Sequence, residues 1–191
     1  MHIGPVLEAA REVQGFLKQH RARFCFIGGL AVQRWGQPRY TKDADLSLLT
    51  DFVEDEKWAD LILSRFSPRY AEAREFALQR RVLLIRASNG TDLDISLGGL
   101  AFEKNCIARA TPWHFEDGSH LLTCSAEDLV VHKAFANRPQ DWVDISSIIA
   151  RQGPALNETQ ILQELRPLTE LKEQPEILSH LGKMLSDSSK K

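Results

Sequence analysis

The stretch FCFIGGLAVQRWGQPRYTKDADLSLL, residues 24–49, decides the fold. It starts as a short apolar run typical of a buried strand, breaks at Gly28 and Gly29, and ends in a second apolar run. A strand that leads through two glycines into a helix exposes backbone N–H groups at the positive end of the helix dipole, which favours phosphate oxygens. A tight turn that needs a positive φ angle accounts for the same glycines. The glycines alone therefore leave a phosphate site and a turn open.

Acidic residues follow on two predicted strands, as Asp43-x-Asp45 and as Asp92-x-Asp94. Because side chains two residues apart in a strand share a face, each pair points to one side of its strand. On neighbouring strands the carboxylates would meet, and two charges about 4 Å apart repel by roughly 4 kcal/mol at an effective dielectric constant near 20. Such a cluster of carboxylates stays in water, has raised pKa values or binds a cation. If it binds a cation, its hard oxygen ligands favour Mg²⁺ or Mn²⁺ over zinc. A solvated strand face is the alternative.

Hydrophobic periodicity over the rest of the chain predicts a mixed sheet covered by helices. The Asn-Gly pair at 89–90 predicts a hairpin between strands at 82–85 and 93–97. Ser125 and Asn157 are predicted helix caps, and Pro139 is a predicted helix start. The other expected elements are helices near 5–20, 30–35, 58–66, 125–137 and 139–149, strands at 24–27, 44–49, 107–115 and 121–123, and a helical tail at 155–191. We therefore expect an α/β fold, built on a mixed α+β sheet.

Composition limits the function classes. The chain has 191 residues and a formal net charge of −2, which disfavours a broad nucleic-acid groove but allows a local basic pocket. Its three cysteines, Cys25, Cys106 and Cys124, form no CxxC pair and predict neither a disulfide framework nor a zinc site. The first residues carry charges inside their apolar pattern, so we expect no signal peptide, and no apolar run approaches the roughly 20 residues that span a membrane. We expect a cytoplasmic protein.

Taken in order along the chain, these motifs resemble a known enzyme family. One part of the resemblance consists of Gly28-Gly29-x-Ala31, Gly36, Arg39, Thr41 and Asp43-x-Asp45. These residues resemble the signature of polymerase-β-type minimal nucleotidyltransferases, and more narrowly that of the group related to abortive-infection toxins. The segment SAEDLVVHKAFANRPQDWVDI, residues 125–145, resembles a later helix motif of the same group. The resemblance covers about residues 24–150. It implies a polymerase-β-like nucleotidyltransferase core at 1–124 and a helical C-terminal region at 125–191, packed on the core as a single compact unit.

The resemblance also implies the site. Catalysis and metal binding would fall to Asp43, Asp45 and a third acid, for which Asp94 fits better than Asp92 because apolar residues flank it. The cofactor would be Mg²⁺ or Mn²⁺, and an NTP would be a substrate. The residues implied for nucleotide binding are Gly28, Gly29, Arg39, Thr41 and Lys133.

Four residues of the implied site have simpler explanations. Lys133 also fits an ordinary solvated lysine, and Arg39 also fits the partner of a nearby aspartate. Asp141 and Asp144 match the helix motif, but they also fall in the first turns of a helix that begins near Pro139, where negative charge is favourable anyway.

The expected reaction moves an NMP from an NTP to a hydroxyl of a tRNA end or of a protein, with an antitoxin or a second copy of the chain as further partners and no membrane. The helical tail at 155–191 is expected to serve docking or dimerisation. Two other functions stay open: an aminoglycoside- or lincosamide-type antibiotic nucleotidyltransferase, and a catalytically degenerate protein that binds a nucleotide or a partner. The basic residues expected near an RNA end are Arg21, Arg23, Arg34 and Lys42, or Arg80 and Arg81.

Overall fold

The structure, a computed structural model, describes residues 4–188. The chain forms two compact units. We call Met1–Leu30 with Tyr40–Cys124 the sheet unit, and Ala31–Arg39 with Ser125–Lys191 the helical unit. The chain thus crosses from one unit to the other within a helix. The expected domain boundary after residue 124 stays a prediction.

Helices and strands alternate through the first half of the chain, and helices dominate the second half. The helices are α1 (Gly4–Gln19), α2 (Gly28–Trp35), α3 (Asp55–Leu63), α4 (Ala73–Arg80), α5 (Ala101–Ala108), α6 (Ala126–Ala136), α7 (Pro139–Gln152), α8 (Glu158–Leu171) and α9 (Pro175–Ser188), with a short 3₁₀ helix at Gly153–Ala155. The strands are β1 (Phe24–Phe26), β2 (Asp43–Leu49), β3 (Ser67–Pro68), β4 (Val82–Arg86), β5 (Asp92–Gly98), β6 (Thr111–His114) and β7 (His120–Thr123).

The strands of the described chain form one seven-stranded mixed sheet, all of it in the sheet unit. Their order is β3-β4-β5-β2-β1-β7-β6. The two strands that carry the aspartates, β2 and β5, are neighbours and run parallel. Strand β1 is antiparallel to β2, so the end of β1 lies beside the start of β2. The predicted hairpin between β4 and β5 is confirmed.

One face of the sheet is apolar and packs against helices. Side chains alternate along a strand, so Ala44, Leu46 and Leu48 of β2 enter the core while Asp43 and Asp45 lie on the other face. The same core takes apolar residues from α1, α3 and α4, among them Val13, Leu17, Trp58, Ile62 and Ala77. This packing fixes the register of β2, because a slip by one residue would bury the aspartates.

Short elements differ from the sequence-based expectation. Residues 107 and 108 were predicted to open a strand, but they end helix α5, and the strand β6 begins only at Thr111. At the start of α5 the Glu103 carboxylate accepts hydrogen bonds from the backbone N–H groups of Gly99 and Leu100, at 2.6 and 2.8 Å, and these bonds stabilise the helix end. Strand β3 and helix α4 were not predicted either.

The helix ends of the helical unit follow the predicted capping residues. The Ser125 hydroxyl accepts a hydrogen bond from the backbone N–H of Asp128 at 3.0 Å, and Asn157 caps α8 in the same way through the N–H of Gln160, at 3.0 Å. Asn137 ends α6 in the left-handed conformation with φ of 58°. Pro139 is the first residue of α7.

Helices α8 and α9 bury their apolar faces inside the helical unit. The buried residues are Ile161, Leu165, Leu168, Ile177, Leu181 and Leu185. Dimerisation through this tail, whose last three residues lie outside the described chain, stays a prediction. Within residues 4–188, no helix combines the length and the apolar character needed to cross a membrane. The predicted fold class, a mixed sheet with covering helices, is confirmed.

Candidate active site

The four aspartates of β2 and β5 lie on one face of two paired strands, which we call the acidic face. In the parallel register, Asp43 is opposite Asp92 and Asp45 is opposite Asp94. All four are partly buried, while the residues between them are buried in the core. The two strands are therefore neighbours, which is the condition under which the sequence predicts that the four carboxylates lie close together.

The two glycines make room for residues of the acidic face. The backbone N–H after β1, that of Ile27, donates to the carbonyl of Asp45 at 3.0 Å, so Gly28 follows directly beside this residue. A Cβ atom on Gly28, which has φ of +57°, would lie 2.0 Å from Oδ2 of Asp45, and one on Gly29 would lie 2.4 Å from Oγ1 of Thr41. Both positions therefore require glycine, and both open α2 rather than precede it. The helix start thus lies against the Asp45 carboxylate.

Thr41 links the glycines to the first aspartate. Its hydroxyl lies 3.2 Å from both Oδ1 and the backbone oxygen of Asp43, to which it can donate. The side chain that Gly29 makes room for thus orients a carboxylate of the acidic face.

Two arginines at one side of the acidic face pair with the aspartates of β5. Nη1 of Arg69 donates to Oδ1 of Asp94 at 2.5 Å, and its Nε lies 3.7 Å from Oδ2 of Asp92. Nε of Arg86 donates to Oδ1 of Asp92 at 2.9 Å. Neither arginine was predicted as a site residue. Pro68, in strand β3 just before Arg69, is the one sequence signal for this segment, because proline within a sheet is largely confined to edge strands.

Burial shifts the pKa of Asp94. Removal from water raises its pKa, and although Arg69 opposes this, the neighbouring carboxylates Asp43 and Asp92 add to it, so the pKa lies above its ordinary value. Asp94 therefore holds a proton more readily than a solvated aspartate does.

The predicted site residues of the helical unit form a second cluster, which we call the ion network. Nζ of Lys133 lies 3.0 Å from Oδ1 of Asp141 and 2.7 Å from Oδ2 of Asp144. The Arg39 guanidinium binds both oxygens of Asp144, at 2.8 Å each. Lys133 is buried, so the alternative of an ordinary solvated lysine is wrong. Arg39 pairs with a nearby aspartate, Asp144, which is the simpler of its two explanations. Whether Lys133 and Arg39 bind phosphates stays a prediction.

The ion network stabilises charge on its central carboxylate. Burial alone would raise the pKa of Asp144, but hydrogen bonds from Arg39 and Lys133 outweigh it and hold the pKa below its ordinary value. Gln140 adds a hydrogen bond at 3.1 Å. Asp144 is therefore a buried carboxylate whose ionised form is stabilised by Arg39, Lys133 and Gln140.

The acidic face fits a divalent cation by its chemistry. Within residues 4–188, no group of three or more Asp, Glu, His or Cys side chains is arranged to hold a metal ion. On the acidic face, the Asp94 carboxylate is bound to Arg69. Carboxylate oxygens of Asp43, Asp45 and Asp94 on paired strands are nevertheless the ligands that Mg²⁺ and Mn²⁺ prefer. Whether these three residues hold such an ion, which requires Asp94 to leave Arg69, stays a prediction.

Comparison with known proteins identifies the fold. No family model matches the sequence, and no curated protein matches it significantly. Among solved structures, the chain has the fold of nucleotidyltransferase-like proteins. One is an antigenic nucleotidyltransferase-like protein from Paracoccidioides brasiliensis, with a TM-score of 0.50 and 16% identity over 91% of each chain. Another is the antibiotic-resistance factor ANT(2'')-Ia, with a TM-score of 0.55 and 14% identity over 94% of this chain and 99% of the other.

These likenesses agree with the expected polymerase-β-like nucleotidyltransferase fold. At 14% and 16% identity they show the fold alone and do not show a substrate or a reaction.

Proposed function

We propose that this protein is a nucleotidyltransferase that moves an NMP from an NTP to an acceptor hydroxyl. The hydroxyl oxygen forms a bond to the α-phosphorus, and the bond from that phosphorus to the bridging oxygen of the β-phosphate breaks. The hydroxyl proton goes to a carboxylate, and pyrophosphate leaves. The acidic face is the proposed site of this reaction.

The register between β2 and β5 is the observation that carries the proposal. It sets Asp45 opposite Asp94 and Asp43 opposite Asp92, on the face away from the core. The start of α2 touches the same carboxylate, Asp45, through the closely packed Gly28. A helix start and a row of carboxylates thus lie side by side, and this arrangement supports binding of a nucleoside triphosphate together with its divalent cation.

Each residue of the acidic face has a role in the proposal. Backbone N–H groups at Gly28 and Gly29 bind the β- and γ-phosphates, and Thr41 orients Asp43. Asp43, Asp45 and Asp94 hold Mg²⁺ or Mn²⁺, which when bound neutralises the charge on the triphosphate oxygens. Asp94 accepts the hydroxyl proton, directly or through the cation. Positioning and electrostatics supply most of the rate enhancement, as in other phosphoryl transfers.

The ion network enters the proposal with a condition. Lys133 and Arg39 bind phosphate oxygens of a nucleotide only if they exchange their partners in the structure, Asp141 and Asp144, for those oxygens.

The acceptor we propose is the end of a tRNA or a hydroxyl of a protein, within a toxin–antitoxin pair, as the narrower resemblance to the abortive-infection group suggests. The proposed location is the cytoplasm. Arg81 is left out of a basic patch because it donates to Asp55 and to the Leu97 carbonyl. The antibiotic-resistance factor ANT(2'')-Ia makes an aminoglycoside the second acceptor to test.

The test is transfer of label from α-labelled NTPs, supplied with Mg²⁺ and with tRNA, protein or aminoglycoside acceptors in separate reactions. We expect Asp45→Asn to reduce incorporation by about 10²-fold or more, the size of effect seen when one electrostatic group is lost from such a site. Asp94→Asn is expected to lose more activity than Asp92→Asn. Pyrophosphate release is measured in parallel.

The matched control is Asp60→Asn, which removes a carboxylate that pairs with Arg74 on the exposed side of α3. Incorporation by this variant should equal that of the wild type. Equal incorporation by Asp45→Asn would overturn the proposed site. NTP binding without pyrophosphate release, across all four NTPs and all acceptors, would support the degenerate binding protein instead.

A further inference from the structure

Arg69 lies in the same row of the sheet as two aspartates of the acidic face. Its backbone N–H donates to the carbonyl of Leu84 at 3.0 Å. Leu84 is the cross-strand partner of Asp94, which is in turn the partner of Asp45. The row Arg69, Leu84, Asp94, Asp45 therefore crosses four neighbouring segments of the sheet unit.

The side chain of Arg69 makes use of this alignment. It lies along the sheet and binds Oδ1 of Asp94 at 2.5 Å, a short charge-assisted contact. The Arg69 side chain is 16% exposed and that of Asp94 is 30% exposed, so solvent screens this pair less than an ordinary surface pair. Asp94 thus has a cationic partner from its own chain.

The same carboxylate is the third cation ligand of the proposed function. A guanidinium and a divalent cation are both positive and both require the oxygens of Asp94, so they compete for it. We propose that Arg69 is a positioning residue that holds Asp94 on the acidic face before the cation binds and leaves it when the cation binds, which lowers the affinity for the cation. The inference rests on the proposed function, since it assumes that Asp94 is a cation ligand.

Arg86 provides the matched control. It carries the same charge on the adjacent strand, but its Nε binds Asp92 at 2.9 Å and its side chain is 53% exposed. Its row of the sheet contains Asp92 and Asp43 and leaves out Asp94. Arg86→Gln therefore removes one positive charge near the acidic face without taking a partner from Asp94.

The experiment is a Mn²⁺ titration of the full chain, followed by the electron paramagnetic resonance signal of the unbound ion, with and without a non-hydrolysable ATP analogue. We expect Arg69→Gln to bind Mn²⁺ about five- to tenfold more tightly than the wild type, because one opposing charge at a partly screened site is gone. Arg69→Lys, which keeps the charge but loses the fixed guanidinium geometry, should bind about two- to threefold more tightly. Arg86→Gln should stay within about twofold of the wild type.

Thermal unfolding supplies a second readout. Without Mn²⁺, Arg69→Gln should unfold at a lower temperature than the wild type, because Asp94 loses its partner. Saturating Mn²⁺ should close that difference, since the cation replaces the guanidinium. A merely structural role for Arg69 would leave the difference unchanged by Mn²⁺.

The outcomes separate the inference from the proposed function. Mn²⁺ affinity that is equal or weaker in Arg69→Gln, with wild-type binding intact, overturns the role of Arg69 and leaves the cation site standing. If Arg69→Gln does not fold, affinity of Arg69→Lys equal to that of the wild type overturns it in the same way. Absence of Mn²⁺ binding by the wild type in both conditions overturns the cation site and the role of Arg69 together.

Discussion

The two clusters of carboxylates, one in each unit, differ in their exposure to solvent and in the number of arginine and lysine side chains that pair with them. On the acidic face, Asp94 is 30% exposed and has one close cationic partner, Arg69. In the ion network, Asp144 is 3% exposed and has two, Arg39 and Lys133. The pKa of Asp94 is raised because burial outweighs its partner, while the pKa of Asp144 is lowered because its partners outweigh burial.

This difference separates a site from a structural element. A carboxylate that is incompletely neutralised and in reach of solvent exchanges its partner at low cost, as a cation ligand must. A buried carboxylate with all its hydrogen bonds made loses several favourable contacts if any partner leaves. This difference supports the proposal that the reaction takes place on the acidic face, and we expect the ion network first of all to stabilise the helical unit.

The largest expected effect comes from breaking the ion network. Lys133→Met removes the buried cation between Asp141 and Asp144, which leaves two negative charges close together in the interior. We expect a loss of about 3–5 kcal/mol in the free energy of unfolding, the range for removing one partner of a buried ion pair. Urea denaturation followed by far-UV circular dichroism measures it.

Arg39→Gln is the control for this prediction. Arg39 binds the same Asp144, but its side chain is 35% exposed, so solvent replaces part of the interaction. The expected loss is about 1 kcal/mol or less. Similar losses for both variants would contradict the distinction between the buried and the exposed member of the network.

A smaller effect is expected at the helix start beside the acidic face. Gly28→Ala places a Cβ atom 2.0 Å from Oδ2 of Asp45, so the carboxylate must move. We expect a destabilisation of about 1–3 kcal/mol beyond the cost of the backbone conformation, and loss of Mn²⁺ affinity. Urea denaturation and the Mn²⁺ titration measure the two quantities.

The control variant is Gly90→Ala in the hairpin turn. Gly90 also has a positive φ, +82°, but nothing lies within 4 Å of an added Cβ atom. The Gly90→Ala variant therefore has only the cost of an alanine at a positive φ angle, about 1–2 kcal/mol, and no steric clash. Equal destabilisation at both positions, with Mn²⁺ affinity retained in Gly28→Ala, would mean that the glycine serves the turn alone.

Local chemistry explains what could be predicted from the sequence. The alternation of Asp43, Ala44 and Asp45 assigns the faces of β2, because side-chain direction depends on the strand period alone. Caps such as Ser125 and Asn157 act on their own helices, so their positions are readable without tertiary structure. The acidic face is built from these local signals and from the pairing of two strands.

The partners of the charged residues depend on contacts between distant parts of the chain. Arg69 meets Asp94, 25 positions away, only because β3 is the edge strand beyond β4 and β5. Arg39 meets Asp144 across 105 positions. Neither its spacing nor its residue type distinguishes Arg69 from a solvated arginine, and the motif that singles out Arg39 does not identify Asp144 as its partner. The sequence therefore predicts the carboxylates and leaves their counter-ions undetermined.

The smallest expected effect is a stabilisation, from Asp94→Asn. Because burial raises the pKa of Asp94, its ionised form costs free energy in the folded state at pH 7. The neutral asparagine avoids this cost, so we expect the variant to be as stable as the wild type or up to about 1 kcal/mol more stable. Urea denaturation from about pH 3 to about pH 8 measures the difference.

The pH dependence follows from the direction of the shift. Because the pKa of Asp94 is raised in the folded state, the contribution of Asp94 to the free energy of unfolding becomes more favourable as the pH falls through that pKa towards the unfolded value near 3.9. The advantage of Asp94→Asn should therefore disappear on acidification. Asp144→Asn should behave in the opposite way, destabilised at pH 7, with the difference lost below about pH 4 because the pKa of Asp144 is lowered. Destabilisation of both variants at pH 7 would show that Asp94, too, is a structural partner, and the contrast between the two clusters would fail.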